Sequence, residues 1–458
     1  MAHSILLFGR VVDFCFIEPA TGGGGGESIR SAWEGIQGVA TQQESTWEGI
    51  QGVATQQEWS DAVTEYMRIF EASAVIADPP QLCSLRILVP MEFLAVPPPL
   101  DYLHSARIFS ADRHLFALCA GDCRPGTGTI DIGGYLIYDA CKDSLSVVPK
   151  LLEDHFHAAI GCQSAAVMCS NGDDGGYFLA ELVWLRPDYS QAAIWLWKSS
   201  APRSGSAPGW SLKPARLSLP PSFCSSLCFS YRGSILCWVD LLEGMVMCDL
   251  GKDCGNLDRP ELRFIQLPKD CPSYDSSDLC NRYHLCPEKF RSMACVGDTI
   301  KFVTMDCNLE EQGFALTVYS LLPDLSDWEI SSKYNVDNIW ANESYQSTAG
   351  MAKIPPSFPV LSIHEDGVIY LVFTDLRVAD DTPISGWTGQ RGAVSKSQYL
   401  VRVDIENNKV HCYPPTTDCS IDDYLLCSDF SSYRQCLQDH PREIEATEMV
   451  ASRKRMKL

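Results

Sequence analysis

The sequence contains one compact group of cysteine and histidine residues, in the stretch CPSYDSSDLCNRYHLC. The group comprises Cys271, Cys280, His284 and Cys286. Zinc accepts four such ligands in a tetrahedron, so the residue types are suitable. The spacing differs from that of a zinc finger, because the stretch contains neither a Cys-x2-Cys pair nor a His-x3-His pair. We therefore favour a cysteine-containing loop over a zinc site, and we predict no metal and no other cofactor.

His155 and His157 form a second candidate pair, beside Asp154. Residues two apart point to the same side of a strand, and two imidazoles on one side can bind a metal ion. The sequence identifies no third ligand, so we favour solvated loop histidines. It also contains no Gly-x-Ser-x-Gly elbow, no His-Glu-x-x-His pair and no dinucleotide-binding fingerprint. We accordingly predict no catalytic residue and a protein that is not an enzyme.

Aspartates at the ends of apolar segments would allow an acidic ring, formed by Asp139, Asp240, Asp249 and Asp404. Aspartate at such a position more often accepts hydrogen bonds from the amides of a turn, and we favour that role. Several tryptophans are interpreted as core residues first and as binding residues second. They are Trp195, Trp197, Trp210, Trp238 and Trp328.

The segment ASRKRMKL at the carboxyl end carries four closely spaced cations, Arg453, Lys454, Arg455 and Lys457. An accessible basic cluster of this kind is what a nuclear-import receptor can bind in its acidic groove. These residues are the candidate import signal, although short basic clusters also arise by chance. We predict a cytoplasmic location, a nuclear location or both.

Charge and hydropathy argue against several classes of function. The net charge of −22 opposes binding to phosphate backbones, so we predict no general nucleic-acid binding. No apolar run approaches the roughly 18 residues of a membrane helix, and we predict no membrane span. The first residues, MAHSILLFGRVVDFCFIEPA, lack an initial basic region and predict a strand and not a signal peptide. The 21 cysteines are therefore expected to be reduced, buried thiols.

Residues 31–58 contain a tandem duplication, SAWEGIQGVATQQE followed by STWEGIQGVATQQE. Each copy carries two glycines, and each glycine costs about 1 kcal/mol inside a helix. Two copies are also too few for a stacked repeat array. Together with the preceding TGGGGGES, the duplication is interpreted as a surface insertion. The following SDAVTEYMRIF, residues 60–70, predicts a short helix with Ser60 as its N-cap.

A less obvious repeat extends through the rest of the sequence, as units in which a polar turn precedes an apolar strand. The units are SADRHLFALCAG (110–121), NGDDGGYFLAELVWL (171–185), SYRGSILCWVDL (230–241), CVGDTIKFVTMD (295–306) and HEDGVIYLVFTDL (364–376). Successive turns lie about 58 to 70 residues apart, and further apolar strands surround each unit. Four strands in about sixty residues are typical of a β-propeller blade, because stacking around an axis covers both faces of each small sheet.

The segment CFSYRGSILCWVDLLEGMVMCDL (228–250) carries a resemblance to a known family. Together with YLIYDACKDSLSVVPKL (135–151) and FRSMACVGDTIKFVTMD (290–306), it resembles the plant domain of unknown function 1618 family, which is expanded in grasses. The resemblance spans about residues 80–420, and the chain is also distantly similar to kelch and F-box-associated propellers. It implies a propeller without an established activity, and no catalytic residue can be transferred. Because no F-box precedes the propeller segment, a role as a ubiquitin-ligase adaptor is weakened.

We therefore predict an all-β protein, a β-propeller of six blades within a range of five to seven. Residues 1–17 supply a strand that joins the propeller, and 18–76 hold the glycine-rich linker, the duplication and a short helix. Residues 77–417 form the propeller, and 418–458 form a flexible extension with the basic tail. Propellers bind through variable loops on a rigid frame, so we predict a non-enzymatic scaffold with a protein partner. A ubiquitin-ligase adaptor and an enzyme with a propeller active site are the alternatives.

Overall fold

The computed structural model describes a ring of β-sheets and the helices that pack on it. The described residues are 6–17, 56–75, 82–90, 103–121, 133–149, 157–161, 163–170, 176–185, 191–199, 209–215, 217, 219–220, 222–251, 260–271, 286–308, 313–348, 353–378, 393–415 and 425–428.

Five antiparallel sheets, which we number as blades, follow one another along the chain, each with four strands paired in sequence order. Blade 1 contains β5 (Ala106–Asp112), β6 (Leu115–Gly121), β7 (Gly133–Asp139) and β8 (Ser144–Val148). Blade 2 contains β10 (Ala165–Cys169), β11 (Tyr177–Leu185), β12 (Gln191–Lys198) and β13 (Trp210–Pro214), with β9 (His157–Ala159) also on β11. Blade 3 contains β14 (Leu227–Tyr231), β15 (Ile235–Asp240), β16 (Gly244–Asp249) and β17 (Leu262–Gln266). Blade 4 contains β18 (Arg291–Val296), β19 (Thr299–Asn308), β20 (Gly313–Leu321) and β21 (Trp328–Asn335). Blade 5 contains β22 (Pro356–Leu361), β23 (Val368–Val378), β24 (Ala393–Asp404) and β25 (Lys409–Cys412).

The remaining strands, which we call the closing segment, lie between blade 5 and blade 1. They are β1 (Leu6–Gly9), β2 (Val11–Ile17), β3 (Glu71–Val75), β4 (Ser84–Pro90) and β26 (Leu425–Ser428). Strand β26 lies against β22 and pairs antiparallel with β1, which lies against β4. Strand β2 then runs parallel to β4 and antiparallel to the start of β5, so β3, β4, β2 and blade 1 form one seven-stranded sheet. The first and last described strands thus meet and close the ring.

Both faces of the sheets are buried, which explains why the strands are so uniformly apolar. In β6, Phe116 and Leu118 belong to the core on the side of the closing segment, whereas Leu115 and Ala117 belong to the core shared with blade 2. Among the described residues, six hydrophobic clusters lie between successive sheets around the ring. This radial packing confirms the predicted all-β, propeller-like fold.

Helix α1 (Gln56–Met67) packs on blade 1 and the closing segment. It begins before the predicted residue 60 and buries Val63, Tyr66 and Met67. Its apolar face is therefore part of the core. Residues 31–55 of the duplicated segment lie outside the described residues. Its last three residues, 56–58, form the start of α1. The predicted boundary between residues 76 and 77 falls between β3 and β4, which pair with each other.

Short helices accompany the later blades. Helices α2 (Asp337–Ala341) and α3 (Glu343–Ser347) connect blade 4 to blade 5, and a 3-10 helix (Pro287–Lys289) precedes β18. No helix in the part of the chain that the structure describes is long and apolar enough to cross a membrane.

The tryptophans join neighbouring blades. The indole N–H of Trp210 donates to the carbonyl oxygen of Pro149 at 2.8 Å, from blade 2 to the end of blade 1. Trp328 repeats this bond from blade 4 to Gln266 of blade 3, also at 2.8 Å. Trp238 is fully buried and donates to a carbonyl of blade 2 at 2.7 Å. Trp238 lies in the core, as the sequence predicted, whereas Trp210 and Trp328 are partly buried and join neighbouring blades.

The expectation of reduced cysteines holds for many of the described cysteines and fails at one. Cys237 is a buried free thiol, Cys295 is a partly buried free thiol, and Cys248 is buried. Cys119, by contrast, is disulfide-bonded. Its apolar flanks in β6 gave no signal of this, because a buried half-cystine and a buried thiol occupy the same kind of strand position.

Candidate functional site

A cavity of about 440 Å³, which we call the axial cavity, lies where the first strands of the blades converge. Its walls come from the closing segment, from β5, β14 and β18, and from the residues at and after the end of β22. Turns between the first and second strands of blades 1, 3, 4 and 5 therefore surround it. The charged and titratable side chains at its wall include Arg10, Asp112, Arg113, Arg232, Asp298 and His364.

Two arginines at this wall have a left-handed backbone conformation. Arg113 has φ of 53° and Arg232 has φ of 50°. A residue with a Cβ atom pays about 1–2 kcal/mol for this conformation, whereas glycine does not. In blade 4, Gly297 has φ of 57° and opens the same kind of two-residue turn that Arg113 opens in blade 1. The fold thus accepts glycine at a position where blade 1 places an arginine.

Asp112 connects three blades at the cavity wall. Its carboxylate accepts a hydrogen bond from the backbone N–H of Cys169 in blade 2 at 2.6 Å. It also accepts one from the hydroxyl of Ser230 in blade 3 at 2.5 Å. Tyr231 then joins blade 3 to blade 4 by donating to the carbonyl oxygen of Asp298 at 3.3 Å. These bonds fix the wall, so the neighbouring arginines stand on a rigid frame.

Arg10 contributes a buried guanidinium to the same cavity. The side chain is 7% exposed and donates through Nη1 to the carbonyl oxygen of Phe109 at 3.3 Å and to Oε1 of Gln163. Gln163 in turn accepts a hydrogen bond from Ser225 at 2.6 Å through its backbone carbonyl. Arg10 therefore holds the closing segment to blades 1 and 2 while presenting positive charge to the cavity.

The charge at the cavity differs in sign from that of the whole chain. Arg10, Arg113 and Arg232 carry three positive charges against the two negative charges of Asp112 and Asp298. These five groups together are net positive, although the chain carries −22. An opening lined in this way attracts an acidic group.

Two cysteines at the wall are protonated at neutral pH. Burial raises the pKa of the Cys228 thiol to about 12. Burial, with the added charge of Asp298, raises the pKa of the Cys295 thiol to about 11. A thiol in this state is a weak nucleophile, because the thiolate is the reactive form.

The predicted turn role of the four aspartates is confirmed. Their carboxylates accept backbone N–H bonds from residues that follow them, Asp139 from Cys141 at 3.0 Å, Asp240 from Leu242 at 2.8 Å, Asp249 from Gly251 at 2.9 Å and Asp404 from Asn407 at 3.0 Å. The four do not occupy corresponding places, because Asp240 ends the second strand of blade 3 whereas the others end third strands. The four aspartates therefore do not form one ring of equivalent positions.

Most of the predicted metal and import residues lie outside the described residues. These are Asp154, His155, Cys280, His284, Arg453, Lys454, Arg455 and Lys457, together with the side chain of His157. Cys271 and Cys286 are described and are partly buried. A different group, His114, Asp139 and Cys141, brings three potential ligand atoms within 4.8 Å of one another. The sequence did not suggest it, because the fold brings together two turns that are distant in the chain.

A family model described as "Protein of unknown function (DUF1618)" matches residues 238–370, from blade 3 into blade 5. The predicted resemblance to DUF1618 is confirmed over this part of the chain, and the family description assigns it no activity. No curated protein matches the sequence.

Solved structures with a similar chain path are only distantly similar to this chain. A mutant of the Synechocystis apocarotenoid oxygenase is 8% identical with a TM-score of 0.28, covering 66% of this chain and 58% of that chain. Fructan 1-exohydrolase IIa from Cichorium intybus is 9% identical with a TM-score of 0.27, covering 67% of this chain and 57% of that chain. This chain thus spans less than two thirds of the length of either protein. Similarity at this level defines no shared site.

Sequence reasoning missed the arginines of the cavity, although a signal was present. The repeated units SADRHLF and SYRGSIL both carry an arginine in the turn, at Arg113 and Arg232. An arginine in such a turn is a signal of function, because left-handed turn positions usually hold glycine or asparagine. Arg10 stands between apolar strand residues in the sequence. It reaches the cavity only because the ring closes, so its position could not be predicted from the sequence.

Proposed function

We propose that this chain is a non-enzymatic protein-interaction module that receives an acidic segment of its partner at the axial cavity. The observation that carries this proposal is the placement of Arg10, Arg113 and Arg232 around one cavity of about 440 Å³. Arginine suits this role because its planar guanidinium binds a carboxylate through two parallel hydrogen bonds.

The charge contrast gives the proposed interaction its selectivity. A partner that is acidic throughout is repelled by the net charge of −22. A partner with one acidic segment on an otherwise neutral or basic surface reaches the arginines and avoids that repulsion. We therefore expect binding to weaken as the salt concentration rises.

The backbone strain at two of the arginines supports a functional role. Glycine would relieve the strain at both positions, and blade 4 uses glycine at the matching one. Strained residues of this kind persist where function requires the side chain. The Arg232 guanidinium also lies 4.8 Å from the ring centroid of Tyr231, which restrains its direction.

The protonated thiols at the wall are consistent with a binding role and offer no activated sulfur nucleophile. The raised pKa values of Cys228 and Cys295 place both thiols far from the depressed range of catalytic cysteines. The adaptor alternative requires a cryptic F-box-like helical segment within residues 27–76. Helix α1 does not provide one, because its apolar face packs in the core.

The test compares partner capture by the full chain and by the double variant Arg113→Gly with Arg232→Gly. The matched control is the double variant Arg68→Ala with Arg86→Ala, which removes the same charge at exposed positions outside the axial cavity. Proteins captured from a plant or other eukaryotic extract are quantified for all three chains. We expect at least one protein to be retained by the control and reduced about tenfold or more with the glycine variant. Equal capture by the glycine variant and the full chain for every protein would contradict the proposal.

The location of the protein remains a separate proposal, carried by the basic tail. A chain ending at Val450 lacks Arg453, Lys454, Arg455 and Lys457. We expect this shorter chain to lose its nuclear neighbours in proximity labelling. Unchanged nuclear neighbours would show that the tail is not an import signal.

A further inference from the structure

Two turns of blade 1 bring three different metal-ligand types together. A ring nitrogen of His114, a carboxylate oxygen of Asp139 and Sγ of Cys141 all lie within 4.8 Å of one another. The side chains of His114 and Asp139 are 26% and 11% exposed, so the group is partly enclosed and still open to solvent. Imidazole, carboxylate and thiolate are the three ligand types of zinc in proteins.

The matching turns of other blades show which residues of this group the fold itself requires. In blade 1 the amide of Ala140 donates to the carbonyl of His114 at 2.9 Å. The same bond joins Leu250 to Ser234 in blade 3 at 2.8 Å and Ile405 to Gly367 in blade 5 at 2.9 Å.

In all three blades an aspartate ends the third strand and accepts an amide of the turn. The aspartate therefore belongs to the repeat. At the position of His114, blades 3 and 5 have Ser234 and Gly367, and at the position of Cys141 they have Gly251 and Glu406. Of these three blades, only blade 1 adds an imidazole and a thiol to the shared aspartate.

We propose that His114, Asp139 and Cys141 form a Zn²⁺ site in which water occupies the fourth position. Zinc bond lengths of about 2.0–2.3 Å place tetrahedral ligand atoms roughly 3.5 Å apart. Closing the group from a separation of at most 4.8 Å thus requires side-chain shifts of about 1 Å. The repeat does not require His114 or Cys141. Both residues lie in turns, so their side chains can shift with little resistance.

Lys142 competes with the metal for the aspartate. Its Nζ lies 2.9 Å from Oδ2 of Asp139, and its side chain is 63% exposed. Zinc binding displaces this exposed ammonium into water and releases the proton of the Cys141 thiol. The site does not depend on the partner binding proposed above, so either proposal can fail alone.

The test measures Zn²⁺ affinity of the full chain by competition with a coloured chelator, after metal removal and in a reductant without thiols. Co²⁺ then replaces Zn²⁺, because a thiolate ligand gives cobalt a charge-transfer absorption band. We expect one Zn²⁺ per chain and a cobalt–thiolate band. The variants Cys141→Ser and His114→Gln should each weaken binding at least about tenfold, and Cys141→Ser should remove the band. Asp139→Asn should weaken binding similarly, since asparagine retains the acceptor of the turn but not the charge.

Two further variants make the result specific. Lys142→Ala should tighten binding about two- to fivefold, because an exposed ion pair no longer opposes the metal. Cys286→Ser should leave affinity and band unchanged, since this cysteine belongs to the separate group near residues 271–286. The proposal is overturned if the full chain binds no Zn²⁺, if Cys141→Ser retains the band, or if Cys286→Ser removes it.

Discussion

The arginines of the axial cavity show how one residue can favour binding over stability. Arg113 and Arg232 hold left-handed conformations at φ of 53° and 50°. Replacing each by glycine removes the strain and adds chain entropy to the unfolded state, and these effects oppose each other. We expect Arg113→Gly and Arg232→Gly to leave the free energy of unfolding unchanged or to raise it by up to about 1 kcal/mol each. Urea denaturation measures this, and a loss above about 1 kcal/mol would show that the arginines are structural.

The buried thiol of Cys228 predicts a loss of stability at alkaline pH. Burial raises its pKa from the ordinary 9.0 to about 12, so the unfolded chain releases this proton first. The contribution is intact below about pH 9 and is lost as the pH rises from 9 through 12. Between about pH 8 and pH 10.5, this thiol alone should account for roughly 2 kcal/mol of the decline. Denaturation of Cys228→Ser, which keeps a donor toward Gln163 and does not ionise, should show a decline smaller by that amount. An identical decline in the variant would contradict the assignment.

At the scale of elements, Gly161 shows how closely neighbouring blades approach. It has φ of 94° and forms a parallel bridge to Ser225 of the next blade. A Cβ atom at this position would lie 2.2 Å from the backbone nitrogen of Ser225. Gly161→Ala should therefore lower the free energy of unfolding by about 3 kcal/mol, from strain and overpacking together.

Gly297 is the matched control, because its φ is 57° and nothing lies within 4 Å of an added Cβ atom. Gly297→Ala should cost only the conformational strain, about 1 kcal/mol. Equal costs for the two substitutions in chemical denaturation would show that the contact between the blades has been overestimated.

Ring closure is a further property of the elements. Strand β1 pairs with β26 from Leu6 opposite Ser428 to Gly9 opposite Leu425. A chain ending at Pro415 loses this pair, whereas a chain ending at Ser428 retains it. The shorter chain should melt at least about 5 °C lower, because β22 loses its neighbour and the ring opens. Equal melting temperatures would show that the last strand does not close the ring.

At the scale of the whole molecule, the fold could be predicted because each blade repeats the same pattern. Glycine-containing turns followed by apolar strands, such as those at 230–241 and 295–306, mark the start of a blade in sequence. The seven-stranded sheet could not be predicted, because the parallel pairing of β2 with β4 depends on contacts distant in sequence.

The candidate site was less predictable than the fold, because it also depends on contacts between residues that are distant in sequence. The turn arginines were visible in the repeated units, but only the convergence of the first strands places them around one cavity. His114 and Cys141 gave no spacing signal, since two separate turns of blade 1 bring them together. The strand-end aspartates were predictable because their role is local to each turn.

The central claim is that the axial cavity receives an acidic segment of a partner, and photo-crosslinking tests it most directly. A photo-crosslinking amino acid replaces His364 at the cavity wall in one chain, and Ile330, which is 44% exposed on the outer strand of blade 4, in another. Each chain is irradiated with the partner whose capture depends on the turn arginines. The account predicts crosslinks from position 364 to a segment rich in aspartate and glutamate, and few from position 330. Crosslinks that form mainly at position 330, or that reach no acidic segment from position 364, would contradict it.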